Sequence, residues 1–172
     1  MPRRHPVQRS PQASMSLFLA THINKIDKKG RVSVPAGFRA TLAKQTFQGV
    51  VLFRSLRTAA IEGCGMDRME RLSSGMDDFT QFSGAQNDLA ASIFADALPL
   101  SFDAEGRILL TPDLIAHAQL DDAAAFVGCG PTFQIWQPAA FKAHQAKARA
   151  RVQSQELGIR LTKGQPQEET KP

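Results

Sequence analysis

The sequence predicts a mainly β fold with short helices, an α+β chain whose two tandem halves interleave into one small β barrel followed by a C-terminal helix. Three observations predict it: an internal repeat at a shift of 76 residues, extended runs with a period of two, and a glycine turn at the same place in each copy. Placing residues 16–38 over 92–114 matches Ser16 with Ser92, Phe18 with Phe94, Asp27 with Asp103, Gly30 with Gly106 and Arg31 with Arg107. Apolar character agrees at Leu17/Ile93, Ile26/Phe102, Val32/Ile108, Val34/Leu110 and Phe38/Leu114. The matches fall on the turn residues and on the apolar pattern.

Each copy reads as strand, tight turn, strand and short helix. "LFLATHINKI" is an extended run ending at the turn Asp27–Gly30, and "RVSV" resumes with the alternation of a half-buried strand. Gly30 suits a position of positive φ, and an aspartate three residues earlier can bond the turn amides. Pro35 suits the first helical position of "PAGFRATLAK"; in the second copy Thr111 can cap a helix that has Pro112 at that position. Two apolar runs follow in each copy, "VVLFR" and "TAAIEG", then "AAFVGCG" and "TFQIW", which predict a closing hairpin. Amphipathic helices are expected over about 66–73 and 138–155, with a further helix over "DDFTQFSGAQNDLAASIFA" between the copies. Neither half could bury both faces of so few strands; two interleaved halves closing on each other remove the exposed edges.

With 172 residues and 42% hydrophobic content the chain supports one ordinary core. Cys64 and Cys129 stand apart and lack the clustering of a zinc site or a disulfide framework, so they read as reduced, inert thiols of a cytoplasmic protein. No apolar run reaches the length of a membrane span. The first fourteen residues hold three arginines and three prolines without the apolar core of a signal peptide; they read as a disordered tail, and Met15 is a candidate start. Charge is polarised. Residues 22–57 carry eight Lys/Arg against Asp27, a net +7; residues 62–122 carry twelve acidic residues against Arg68, Arg71 and Arg107, a net −9; residues 142–163 carry six basic residues against Glu156, a net +5. A basic first part suits a polyanionic partner.

Catalytic signatures are missing. There is no phosphate loop, dinucleotide fingerprint or His-Glu-x-x-His, and the four histidines are isolated, so no catalytic residue, metal or cofactor is assigned. The first turn suits DNA instead. An arginine at the mouth of a hairpin, Arg31, can bond guanine O6 and N7 together, and a two-stranded ribbon is narrow enough for the major groove. Lys28 and Lys29 suit phosphates. Asp27 would be repelled by phosphate, so it is expected to bond the turn amides or steer Arg31; the plainer alternative is a local ion pair that only fixes the hairpin. Arg39, Lys44, Arg54 and Arg57 fit a solvated face as well as a DNA contact, and Arg54 and Arg57 are candidates to pair with the acidic stretch of a neighbouring subunit. Phe38, Phe47, Phe53, Phe102 and Phe126 lie in apolar runs and are expected in the core, which leaves no aromatic platform for single strands.

The paired Asp-x-x-Gly-Arg turns, the wording "KGRVSVPAGFR" and "GRILLTP" and their spacing resemble the MraZ family, bacterial transcription regulators of the AbrB-type, swapped-hairpin DNA-binding superfamily. The resemblance covers about residues 17–142. It implies AbrB-like repeats at 21–68 and 97–140, a helical connector at 69–96, and tails at 1–15 and 141–172, the latter beginning with the C-terminal helix. It implies a ring-shaped homo-oligomer, cytoplasmic and nucleoid-associated, that binds short G-rich direct repeats in double-stranded DNA upstream of its own division and cell-wall gene cluster, usually as a repressor. Neither a membrane nor a small-molecule substrate is implied. The family's Asp-x-x-x-Arg motif falls on Asp27 with Arg31 and Asp103 with Arg107, so Arg31 and Arg107 are expected to face DNA with Lys28 and Lys29, while Asp27, Gly30, Asp103 and Gly106 support the turns. Two departures stand out: Ala104 and Glu105 replace the lysines in the second turn, and Leu110, Thr111 and Pro112 stand where Leu-Pro-Pro is common. The alternatives are an oligomeric scaffold with only nonspecific DNA binding, and an antitoxin-type autoregulator, against which the duplicated motif in one chain argues.

Overall fold

The computed structural model describes residues 17–155 and Gly158. The expected tails at 1–15 and beyond Gly158, and the Ser16 end of the repeat, lie outside the described residues. The chain forms two compact units, 1–138 and 139–172. The first holds the eight strands found among the described residues. Its elements run β1 (Thr21–Lys25), β2 (Arg31–Ser33), α1 (Ala36–Leu42), β3 (Gly49–Arg54), β4 (Ile61–Cys64), α2 (Met66–Gly75), α3 (Gly84–Leu89), β5 (Leu98–Ser101), β6 (Arg107–Leu109), α4 (Pro112–His117), β7 (Ala123–Gly128) and β8 (Phe133–Trp136). The described part of the second unit is formed by α5 (Pro138–Ser154), which carries no buried residue and does not gather its apolar residues on one face, unlike the amphipathic helix expected there. The molecule is thus mainly β with several short helices and a C-terminal helix.

All strand pairs are antiparallel. One six-stranded sheet has the order β1-β7-β8-β4-β3-β5, and β2 pairs with β6 in a separate two-stranded ribbon. Exchanging the two copies strand for strand turns that order into its own reverse, so the sheet has the pseudo-twofold arrangement the repeat demands. Interleaving is extensive: β1 pairs with β7, β3 with β5, β4 with β8 and β2 with β6, each across the two halves. The sheet itself is not closed into a barrel, since β1 and β5 are its edges. The ribbon strands are only three residues long; Arg31 and Arg107 turn their backbone groups to the turn aspartates, and Val32 also bridges Ile26 just past the end of β1.

The core sits where the halves meet. Val32, Val34, Phe38, Leu42, Val50, Leu52 and Ile61 from one half pack with Ile108, Leu110, Leu114, Phe126, Phe133 and Ile135 from the other. At its centre Phe18, Phe38, Phe126 and Phe133 meet edge-on or tilted, with ring centroids 5.0–6.3 Å apart, the geometry aromatic quadrupoles favour. Of the phenylalanines expected in the core, Phe38 and Phe126 are fully buried, Phe102 is partly buried against that core, and Phe53 is partly buried against a smaller neighbouring cluster. Phe47 is half-buried and lies over Gly49. A second cluster, Val51, Cys64 and Met69 with Ile93 and Phe94, seats α2 and the end of the connector.

The connector is not the single helix expected. A short 3-10 turn at Met76–Asp78 is followed by an irregular stretch, and α3 begins only where Ser83 accepts a bond from the Gln86 amide. Phe82 sits at φ 62°, a left-handed conformation that no helix continues through. The chain then passes into a five-residue π-helical segment, Ala90–Phe94. Pro35 is the cap residue of α1 rather than its first residue, whereas Thr111 caps α4 from one position before Pro112, as expected.

Candidate nucleic-acid interface

The two turns are built alike, atom for atom. Asp27 Oδ1 accepts the backbone N–H groups of Lys29 and Arg31, both at 2.9 Å, and Asp27 Oδ2 accepts Arg31 Nε at 2.6 Å. Asp103 Oδ1 accepts the N–H groups of Glu105 and Arg107 at 2.9 Å, and its Oδ2 accepts Arg107 Nε at 2.7 Å. Gly30 and Gly106 stand at φ 85° and 74°, which glycine reaches without steric cost, and each N–H bonds back to its aspartate's carbonyl. Each turn aspartate therefore bonds its turn amides and forms a local ion pair with its arginine, a geometry common to the steering reading and to the plainer one of a fixed hairpin. These bonds hold both carboxyls below the ordinary aspartate value, with the arginine's backbone N–H the largest cause and its side chain a further one, partly opposed by desolvation.

Ribbon register then brings the arginines together. Arg31 pairs with Leu109, Val32 with Ile108 and Ser33 with Arg107. Directly opposed residues share a face, so Val32 and Ile108 are buried against the core while Arg31, Ser33, Arg107 and Leu109 form the outer face. Arg31 and Arg107 are diagonal neighbours on that face, about 7–8 Å apart at the backbone. The turns lie at opposite ends of the ribbon and lock it: Gly30 O accepts Leu110 N–H at 2.9 Å, and Gly106 O accepts Val34 N–H at 3.1 Å.

The halves differ in electrostatics. Asp27 takes only Nε of Arg31, leaving its two Nη groups, and Lys28 and Lys29 are exposed beside it. Arg107 is held twice, by Asp103 at Nε and by Glu105 at Nη2, and the two carboxylates raise its pKa further. Arg39, undecided in the sequence, lies at this second turn. Its Nε donates to Val34 O at 3.1 Å, and a Cβ built on Gly106 would fall 2.6–2.7 Å from Arg39 Nη1, Cζ and Cδ. Its repeat counterpart is Ile115, whose Cδ1 lies 3.6 Å from the same point on Gly30. The signal in the sequence was a cation on one helix facing an isoleucine on the other at the 76-residue shift.

Arg54, a candidate to pair with the acidic stretch of a neighbouring subunit, meets a carboxylate of that stretch within its own chain. Its backbone N–H, Nε and Nη2 all bond Asp96 of the same chain at 2.5–2.9 Å, so the charge serves to tie the connector's end to β3. Cys64 is buried and Cys129 exposed, both free. Among the described residues no group of three His, Cys, Asp or Glu could hold a metal ion, and no helix is long and apolar enough to cross a membrane.

Fold and turns together define a class: a mainly β protein in which two copies of one hairpin unit interleave and share a ribbon carrying an aspartate-braced arginine from each. The family model described as "MraZ protein, putative antitoxin-like" matches residues 93–159. The chain is 42% identical over 147 residues to the transcriptional regulator MraZ of Pelagibacter ubique, covering 86% of this chain and 95% of that one. It is likewise 42% identical over 149 residues to the transcriptional regulator MraZ of Rickettsia bellii (86% and 99%), and 39% over 146 residues to that of Rickettsia akari (85% and 98%). The chain belongs to the MraZ family of transcriptional regulators.

Proposed function

We propose that this protein is a sequence-specific DNA-binding regulator that reads G-rich direct repeats upstream of its own gene, in a division and cell-wall cluster, and represses from them. One observation carries the reading: Arg31 and Arg107 share the outer face of a two-stranded ribbon, each braced by an aspartate. Arg31, a planar guanidinium fixed at Nε, keeps both Nη groups for a guanine edge and loses little rotamer freedom on binding, whereas Arg107 shares Nη2 with Glu105 and keeps Nη1. Lys28 and Lys29, mobile point charges at the tip, take phosphates and set the salt dependence. The names of the relatives support the regulatory role. The ribbon, tied through its turns to β1 and β5, completes a small swapped-hairpin barrel, and barrels joined in a ring engage repeated sites with raised effective concentration.

The test is fluorescence anisotropy on the protein's own upstream duplex and on a scrambled one, at two salt concentrations, with Arg31→Ala alongside. Preference for the native repeats, lost in the variant while oligomer size is unchanged, is the expected result. Equal, salt-sensitive binding to both duplexes would overturn sequence reading and favour an oligomeric scaffold.

A further inference from the structure

We infer that Arg39 is a phosphate-contacting residue of the second turn, lent to it by the helix of the other half. The inference rests on the proposed DNA reading and deepens it. Residues 27–31 hold Lys28, Lys29 and Arg31 against Asp27, a net +2, whereas residues 103–107 hold Arg107 against Asp103 and Glu105, a net −1. Alone, the second turn repels a phosphate backbone. The packing of the halves corrects this, because α1 of the first half sits against the second turn and α4 of the second half against the first. At the first turn, already basic, the incoming residue is Ile115; at the second, acidic, it is Arg39.

Arg39 is placed for the role. Its Nε is anchored on Val34 O, Val34 N–H is itself bonded to Gly106 O, and its guanidinium lies over the bare Cα of Gly106, one residue from Arg107. Only a glycine leaves room for it. Among the described residues no carboxylate forms an ion pair with Arg39, in contrast to Arg54 and Arg107. The half-buried stem and free charge suit a contact that positions the ribbon on the duplex rather than one that reads a base. The two turns thus reach phosphate by different means, lysines in sequence at one and an arginine across the fold at the other.

The experiment measures affinity of the full chain for its upstream duplex from 50 to 200 mM salt, for wild type, Arg39→Gln, Arg39→Lys, the double variant Arg39→Gln with Ala104→Lys, and Arg31→Ala, with thermal unfolding of each. One phosphate contact steepens the loss of affinity across that range by roughly three- to fourfold per bound subunit. Arg39→Gln is expected to show that shallower dependence with preference for the native repeats kept, Arg39→Lys to stay near wild type, and Ala104→Lys to restore the slope in the Arg39→Gln background. An unchanged slope in Arg39→Gln, or a loss that follows its melting temperature and is not restored by Ala104→Lys, overturns the inference while Arg31→Ala still abolishes recognition. If Arg31→Ala also leaves binding unchanged, the DNA reading falls, and this inference with it.

Discussion

Each turn aspartate accepts two backbone amides through one oxygen and a guanidinium through the other, so its charged form is what the native turn binds. Asp27 and Asp103 are both lowered below the ordinary value in the folded state. The stabilisation is therefore complete above the unfolded value of about 4 and lost as pH falls through the lower folded value. Asp27→Asn should lower the melting temperature at pH 7, and its difference from wild type should shrink as the pH is taken below about 4. Gly30→Ala forces a side chain into φ 85° with its Cβ 3.0 Å from Leu110 O; a loss of about 1–2 kcal/mol is expected in urea unfolding. The cysteines should separate cleanly. Burial pushes the Cys64 thiol up to about 11, and desolvation raises the exposed Cys129 thiol as well, so a thiol reagent at neutral pH should titrate Cys129 first and Cys64 only on unfolding.

The ribbon is the element that joins function to core. Its outer face is the candidate DNA surface and its inner face, Val32 and Ile108, belongs to the main hydrophobic cluster. Ile108→Ala should cost about 2–5 kcal/mol by transfer and cavity terms, measured by chemical denaturation. Because the same strand carries Arg107, it should also weaken DNA binding without altering any surface charge. The elements were legible where local chemistry is strong: the repeated Asp-x-x-Gly-Arg turns, the Thr111 cap and the alternation of "RVSV" all name their own geometry. They were illegible in the connector, where apolar spacing continues through Phe82 but the backbone does not, and the helix has to restart at a serine cap.

For the whole molecule, the palindromic strand order means that neither half owns a complete sheet. Every strand pair except β3 with β4 and β7 with β8 crosses between halves. A chain divided in the exposed stretch 79–82 should therefore yield fragments that unfold without cooperativity alone and regain a single cooperative transition when mixed. Calorimetry of each fragment and of the mixture checks this; an independently folded first fragment would contradict it. The cross-half arrangement also explains why charge compensation at the second turn is invisible along the chain, since Arg39 lies 67 positions before Gly106 and reaches it only through the interleaved packing.

By itself the sequence determined the duplication, the two turns with an aspartate, a glycine and an arginine at the same places in each, and the kind of partner a basic hairpin tip suits. These follow from interactions within five residues, where backbone sterics and hydrogen-bond reach leave few solutions. Only the tertiary structure decided that Arg31 and Arg107 share one ribbon face, that Arg54 is taken by Asp96, that the sheet keeps two edges and that Arg39 serves the opposite turn. Those outcomes depend on which strand of one half lies beside which strand of the other, a choice made by burying a shared core rather than by any local preference.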